Sequence, residues 1–169
     1  MNSQKLRYFL IVVGLLIGVP YWPGGRCATE GKKSTDKPLK FWAVAMGDSV
    51  DPEATKAGFR TVLGKNETRL GFTDFKASDG VIVLAEDGQF RSPEEAERYL
   101  DFNVARSSRI LTRGVNTDST GKRVGLKAEV VLASDRKDSA VLWTNGAWFN
   151  EVTSHSLADA EEFAKRHGG

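Results

Sequence analysis

Four short runs rich in β-branched and aromatic residues follow one another in the second half of the chain, and they constrain the fold more than any other feature. The runs cover residues 110–115, 124–133, 139–144 and 147–153. Short polar stretches separate them, and the last two flank Asn145-Gly146, a dipeptide typical of two-residue hairpin turns. Strands joined by such short connections pair antiparallel. The pattern therefore predicts an antiparallel sheet that is largely a meander of hairpins.

The last hairpin suggests a binding surface. With Asn-Gly as its turn, Trp143 is predicted to lie opposite Trp148, and Leu142 opposite Phe149. Both faces of this hairpin then carry large apolar side chains. One face can pack on a helix, whereas the other needs a second layer, a partner or a ligand. Trp143 and Trp148 are therefore predicted to line an exposed binding surface on the sheet.

Two amphipathic helices are predicted after hairpins. The first begins at the capping box of residues 92–95, Ser-Pro-Glu-Glu, and the second begins at Ser156 near the C-terminus. Each continues with apolar side chains at helical spacing, which gives one apolar face. Further elements are predicted upstream, with strands at residues 39–46, 69–77 and 81–85 and a short helix at 52–63.

These elements together predict an α+β fold for residues 39–169. The expected architecture is a single globular domain with one antiparallel sheet and both amphipathic helices packed on one face of it. The chain has 169 residues, which is the length of one domain with a modest hydrophobic core.

Residues 1–22 are predicted to be an export segment. Lys5 and Arg7 precede an apolar run over residues 8–19, and Pro20 ends any helix there. The run is shorter than the roughly 20 helical residues that span a bilayer, which favours a cleaved signal peptide. An uncleaved anchor is the alternative, and it would contact the membrane through residues 8–22. Residues 23–38 are polar and predict a flexible linker.

The charge distribution argues against nucleic-acid binding. The chain has 24 basic and 22 acidic residues, and the excess of basic residues lies in the first 38. A domain close to neutral lacks the basic stripe that displaces counterions from phosphates. One local cluster remains, and it could line a basic edge for an anionic ligand or be a solvated edge strand protected from aggregation. Its candidate residues are Arg109, Arg113, Lys122 and Arg123.

Few residues are suited to catalysis or metal binding. One Cys and two His exclude a disulfide framework and a Cys-x-x-Cys metal site, so no metal and no cofactor are predicted. His155 lies between two serines, but no G-x-S-x-G elbow marks a nucleophile. No catalytic residue is assigned.

The sequence therefore predicts an exported, periplasmic or extracellular domain, tethered to the membrane if the leader is retained. Its expected function is non-enzymatic binding of a protein or an anionic ligand at the surface near Trp143 and Trp148. Two alternatives remain open: a small hydrolase or isomerase that uses His155 with a nearby carboxylate, and a purely structural tethered domain.

Overall fold

The structure, a computed structural model, describes residues 40–133 and 137–167. The predicted leader at 1–22 and linker at 23–38 lie outside these ranges. The strands are β1 (Phe41–Val50), β2 (Arg69–Ala77), β3 (Ile82–Gln89), β4 (Arg109–Thr117), β5 (Arg123–Val131), β6 (Ser139–Asn145) and β7 (Trp148–Ser154). The helices are α1 (Pro52–Lys56), α2 (Pro93–Ala105) and α3 (Leu157–Arg166).

All seven strands form one antiparallel sheet in the order β1-β2-β3-β7-β6-β5-β4. Strands β1 to β3 pair in chain order, as do β4 to β7, and the pairing of β3 with β7 joins the two groups. The predicted α+β fold with an antiparallel sheet is confirmed. Strands β1 and β4 are the two edges of the sheet, so the connection through α2 carries the chain from the middle of the sheet to an edge.

The two longer helices pack on opposite faces of the sheet, so the prediction that both pack on one face is wrong. Alternate residues of β6 belong to separate cores, since Ala140 and Leu142 pack with α2, whereas Val141 and Trp143 pack with α3. Successive side chains of a strand point to opposite faces. Strand β6 is therefore apolar on both sides, and each side is covered by its own helix. We call the face under α2 the first face and the face under α3 the second face.

The helix ends follow local signals. Ser92 Oγ accepts a hydrogen bond from Glu95 N at 3.2 Å, as the predicted capping box requires. Glu95 Oε2 reaches back one residue further than predicted and accepts from Arg91 N at 3.3 Å. The helix predicted at 52–63 ends early, at the end of α1. Gly58 follows with a φ of 97°, a left-handed conformation that stops the helix.

The turn between β6 and β7 comes one residue later than predicted. Asn145 pairs with Trp148, so residues 146–147 form the two-residue turn. The glycine of this turn has a φ of 56°, which glycine adopts without strain. Trp143 therefore lies opposite Asn150. The predicted pairing of Trp143 with Trp148 is wrong, and so is the predicted pairing of Leu142 with Phe149.

A glycine in β5 allows a close approach to β6. A Cβ atom at Gly125 would lie 2.2 Å from Thr144 Oγ1 and 2.3 Å from the Thr144 carbonyl oxygen. Both Thr144 oxygens are held in place, because Leu126 N donates to Oγ1 at 2.9 Å and Asn116 Nδ2 donates to the carbonyl at 3.0 Å. We expect Gly125→Ala to lower the free energy of unfolding by about 1–3 kcal/mol, measured by urea denaturation.

The control for this prediction is Gly114→Ala in β4, where an added Cβ would meet no atom within 4 Å. This change is expected to alter the free energy of unfolding by less than about 0.5 kcal/mol. Equal stability of the two variants would contradict the close approach of β5 to β6.

Candidate functional site

Trp148 lies on the second face of the sheet, beside the β6–β7 turn. It is two residues from Asn150, the cross-strand partner of Trp143, and so shares the face of Trp143. Trp148 is 44% exposed. Helix α3 covers the other part of this face, where it packs on residues such as Val141 and Val152. The part of the second face around Trp148 is therefore accessible to a ligand.

Four polar residues surround Trp148 on the same face. Gln89 of β3 and Asn145 of β6 lie directly opposite Trp148 on the two neighbouring strands, and both are exposed. Asp87 and Asn150 form the next pair on this face along β3 and β7. Cross-strand partners and residues two apart on a strand share a face. These five residues therefore form one continuous cluster, which we call the Trp148 platform.

The polar groups of the Trp148 platform are not used to hold the fold together. Within residues 40–133 and 137–167, none of its side chains makes a hydrogen bond or an ion pair. Partial burial raises the pKa of the Asp87 carboxyl, because burial disfavours its charged form. Sequence reasoning missed Asp87 and Gln89, since only the pairing of β3 with β7 brings them to Trp148. It also missed Asn150, which lies two residues after Trp148 on the same strand and face.

Trp143, the second predicted aromatic of the binding surface, is a core residue. It is 4% exposed and packs in the same cluster as Phe163 and Ala164 of α3. Its indole ring is therefore covered and does not contribute an aromatic surface for a ligand, which corrects the prediction for this residue.

Two of the predicted basic residues bind carboxylates of α2. Arg113 Nη2 donates to Asp101 Oδ1 at 2.7 Å, and Arg123 Nη2 donates to the two carboxylate oxygens of Glu97 at 2.8 and 3.0 Å. These ion pairs are solvent-exposed, so each contributes about 1 kcal/mol or less to stability. They tie the β4–β5 hairpin to α2 on the first face, away from the Trp148 platform.

The other two predicted basic residues lie far apart. Arg109 begins β4, whereas Lys122 lies beyond its other end in the β4–β5 turn, and both are exposed. A strand of this length separates them by about 26 Å at the usual rise per residue. The four basic residues therefore do not form the continuous edge that the sequence predicted.

His155 has the carboxylate partner that the enzymatic alternative requires. Its Nδ1 lies 2.5 Å from Asp138 Oδ1, and the Asp138 side chain is 5% exposed. The imidazole itself is 69% exposed and follows the end of β7. A buried aspartate at Nδ1 would orient the ring with Nε2 towards solvent. His155 and Asp138 therefore supply the histidine and the acid of a catalytic triad. Among the described residues, no serine or other nucleophile is bonded to the histidine.

A second polar cluster lies under α2 and was not predicted. Glu86 and Glu151 are cross-strand partners on the first face. Ser49 Oγ donates to Glu86 Oε1 at 3.0 Å, and Thr153 Oγ1 donates to Glu151 Oε1 at 3.1 Å. Both carboxylates act on the nearby phenol of Tyr99, whose pKa they raise in addition to the larger effect of burial. We assign this cluster to the polar interior of the first core.

The described residues contain no group of three or more His, Cys, Asp or Glu side chains placed to hold a metal ion. None of the helices in residues 40–133 and 137–167 is both long and apolar enough to cross a bilayer. Comparison of the chain with protein-family models, curated proteins and solved structures finds no match.

Proposed function

We propose that this chain is an exported binding module, periplasmic or extracellular, whose folded part recognises its ligand through the Trp148 platform. Export is supported by the leader, with Lys5 and Arg7 before an apolar run.

The intact mass of the protein purified from envelope fractions tests whether the chain is exported. Loss of about 2–3 kDa indicates a removed signal peptide, and full mass in the membrane fraction indicates a retained anchor. Full-mass protein found only in the cytosol would contradict export.

One observation carries the proposal of binding. Trp148 is 44% exposed in the centre of four polar side chains that make no hydrogen bonds within residues 40–133 and 137–167. Trp143, the other tryptophan on this face, is by contrast only 4% exposed. Exposed tryptophans contribute strongly to binding, because they offer a large contact area at low entropic cost. The ligand chemistry is therefore expected to match an aromatic ring flanked by amides and a carboxylate.

The test is co-sedimentation of the purified chain with cell envelopes isolated from its source cells. We expect Trp148→Ala to weaken the association by about tenfold or more. Trp42→Ala is the matched control, because Trp42 is similarly exposed, at 47%, but lies on the opposite face of the sheet. Its neighbour Phe41 contacts Phe163 on the second face, so Trp42 points to the first face. Failure of the wild type to sediment, or equal sedimentation of the wild type and Trp148→Ala, would contradict the proposal.

The enzymatic alternative has one supporting observation, the contact between His155 and Asp138. The high exposure of the imidazole counts against it, because catalytic histidines act in sites that exclude water and fix the substrate. An activity that is lost in both His155→Ala and Asp138→Asn, and kept in Trp148→Ala, would establish this alternative instead. A chain with neither binding nor activity would match the purely structural alternative.

A further inference from the structure

The Trp148 platform is largely neutral, and its extent over three adjacent strands is enough for a small ring-shaped ligand. Its five residues come from three adjacent strands, which are spaced about 4.8 Å apart. Gln89, Trp148 and Asn145 form one row across these strands, and Asp87 with Asn150 forms the next. The platform therefore measures about 10 Å across the strands and about 7 Å along them.

The hydrogen-bonding groups of the platform suit hydroxyl groups. Each of its three amide side chains offers two N–H donors and a carbonyl acceptor, and the carboxylate of Asp87 offers acceptors only. A hydroxyl group both donates and accepts, so neighbouring hydroxyls on a ring can bond to an amide and a carboxylate at once. The apolar C–H face of a pyranose ring is flat and packs against an indole, whose π face carries partial negative charge.

The charges near the platform disfavour an anionic ligand. Asp87 is itself an acid, and partial burial raises its pKa. Arg69 lies on β2 two residues before Gly71, the cross-strand partner of Asp87, and so shares the face of the platform at its border. Its guanidinium is held by Glu67 Oε1, with the Nε atom at 2.9 Å, and by Asp48 at 3.9 Å. A phosphate or carboxylate on Trp148 would therefore meet the acid of Asp87 and an arginine already bound to carboxylates. Lys127 on the same face is separated from Asn150 by Trp143.

We propose that the Trp148 platform binds a neutral oligosaccharide. One pyranose ring stacks on the indole of Trp148, and its hydroxyl groups bond to Asn145, Asn150 and Asp87. The proposal rests on the binding function proposed above, and it names the ligand class of the same site. It replaces the anionic ligand that the sequence suggested, because two of the four predicted basic residues bind α2 and the other two are far apart.

Isothermal titration calorimetry of the purified full-length chain tests the proposal. The probes are cellohexaose, chitohexaose and maltohexaose as neutral oligosaccharides, and oligogalacturonate as an anionic one. At least one neutral hexasaccharide is expected to bind. Trp148→Ala should weaken that binding by about tenfold or more, whereas Trp42→Ala should change it by less than about twofold. Far-UV circular dichroism of both variants verifies that each is folded.

Two further variants locate the hydroxyl contacts. Asn150→Ala and Asp87→Ala are each expected to weaken binding of the same hexasaccharide by about fivefold or more, because each removes hydrogen bonds to the ligand. Stronger binding of oligogalacturonate, no binding of any neutral probe at millimolar concentration, or binding independent of Trp148 would overturn the proposal. If envelope sedimentation still depends on Trp148 in any of these cases, only the ligand class is wrong. If that dependence is also absent, the binding function fails as well.

Discussion

Replacement of Asp51 by alanine is expected to lower the free energy of unfolding by about 3–5 kcal/mol. Asp51 is 1% exposed and joins two helices. Its Oδ1 accepts hydrogen bonds from Glu53 N and Ala54 N at 3.1 and 3.0 Å, which caps α1. Its Oδ2 accepts from Arg106 Nη1 at 2.9 Å and from the Tyr99 hydroxyl at 3.3 Å. Alanine leaves all four donors without this acceptor, and Tyr99 is buried.

The size of this loss follows from what remains after the substitution. Tyr99 is 1% exposed, so its buried hydroxyl has little access to water to replace the lost hydrogen bond. Burial, and then the charge of Asp51, raise the pKa of Tyr99, so its phenol stays protonated and remains a donor. Asp51→Asn keeps a good N-cap but loses the charge. It is therefore expected to have an intermediate stability.

Urea denaturation monitored by circular dichroism measures these losses. The control is Asp101→Ala, which removes an ion pair with Arg113 in which both side chains are 48% exposed. That variant is expected to lose about 1 kcal/mol or less. A loss from Asp51→Ala no larger than that of Asp101→Ala would contradict the role of Asp51 in joining α1 to α2.

The elements of the fold could be predicted because their signals are local. The capping box at Ser92 and the turn glycine at residue 146 each specify the backbone within a few residues. The strand order could not be predicted, because the pairing of β3 with β7 joins segments far apart in sequence. The face of the sheet that each helix covers could not be predicted either. Strand β6 is buried along both sides from Ser139 to Thr144, so its pattern does not favour one face.

The candidate site was predicted only at Trp148, for the same reasons. The later turn changed the cross-strand partner of Trp143 but not its face, and Trp143 is covered because α3 packs on that part of the second face. The ion pairs of Arg113 and Arg123 depend on where α2 lies over β4 and β5, which no local pattern contains. Two of the four polar neighbours of Trp148, Asp87 and Gln89, come from β3, so their placement depends on the strand order.

Replacement of Phe163 by alanine is the other change with a large expected effect, a loss of about 3–5 kcal/mol in the free energy of unfolding. Phe163 is 2% exposed and attaches α3 to the second face. Its ring centroid lies 5.0 Å from that of Phe41 and 4.7 Å from that of Phe75. The substitution opens a cavity among aromatic rings and removes these contacts. Glu161→Ala on the exposed side of α3 is the control, with an expected change below about 0.5 kcal/mol.

The two large effects also test whether the sheet separates two independent cores. Asp51 acts in the core under α2 and Phe163 in the core under α3, on opposite faces of the sheet. Substitutions with no shared partners usually have additive effects within about 0.5 kcal/mol. The milder pair Asp51→Asn and Phe163→Leu keeps the double variant folded, so its urea denaturation can be measured. Additive losses are expected, because within the described residues the partners of Asp51 belong to the first core and those of Phe163 to the second. A coupling above about 1 kcal/mol would contradict the placement of the helices on opposite faces.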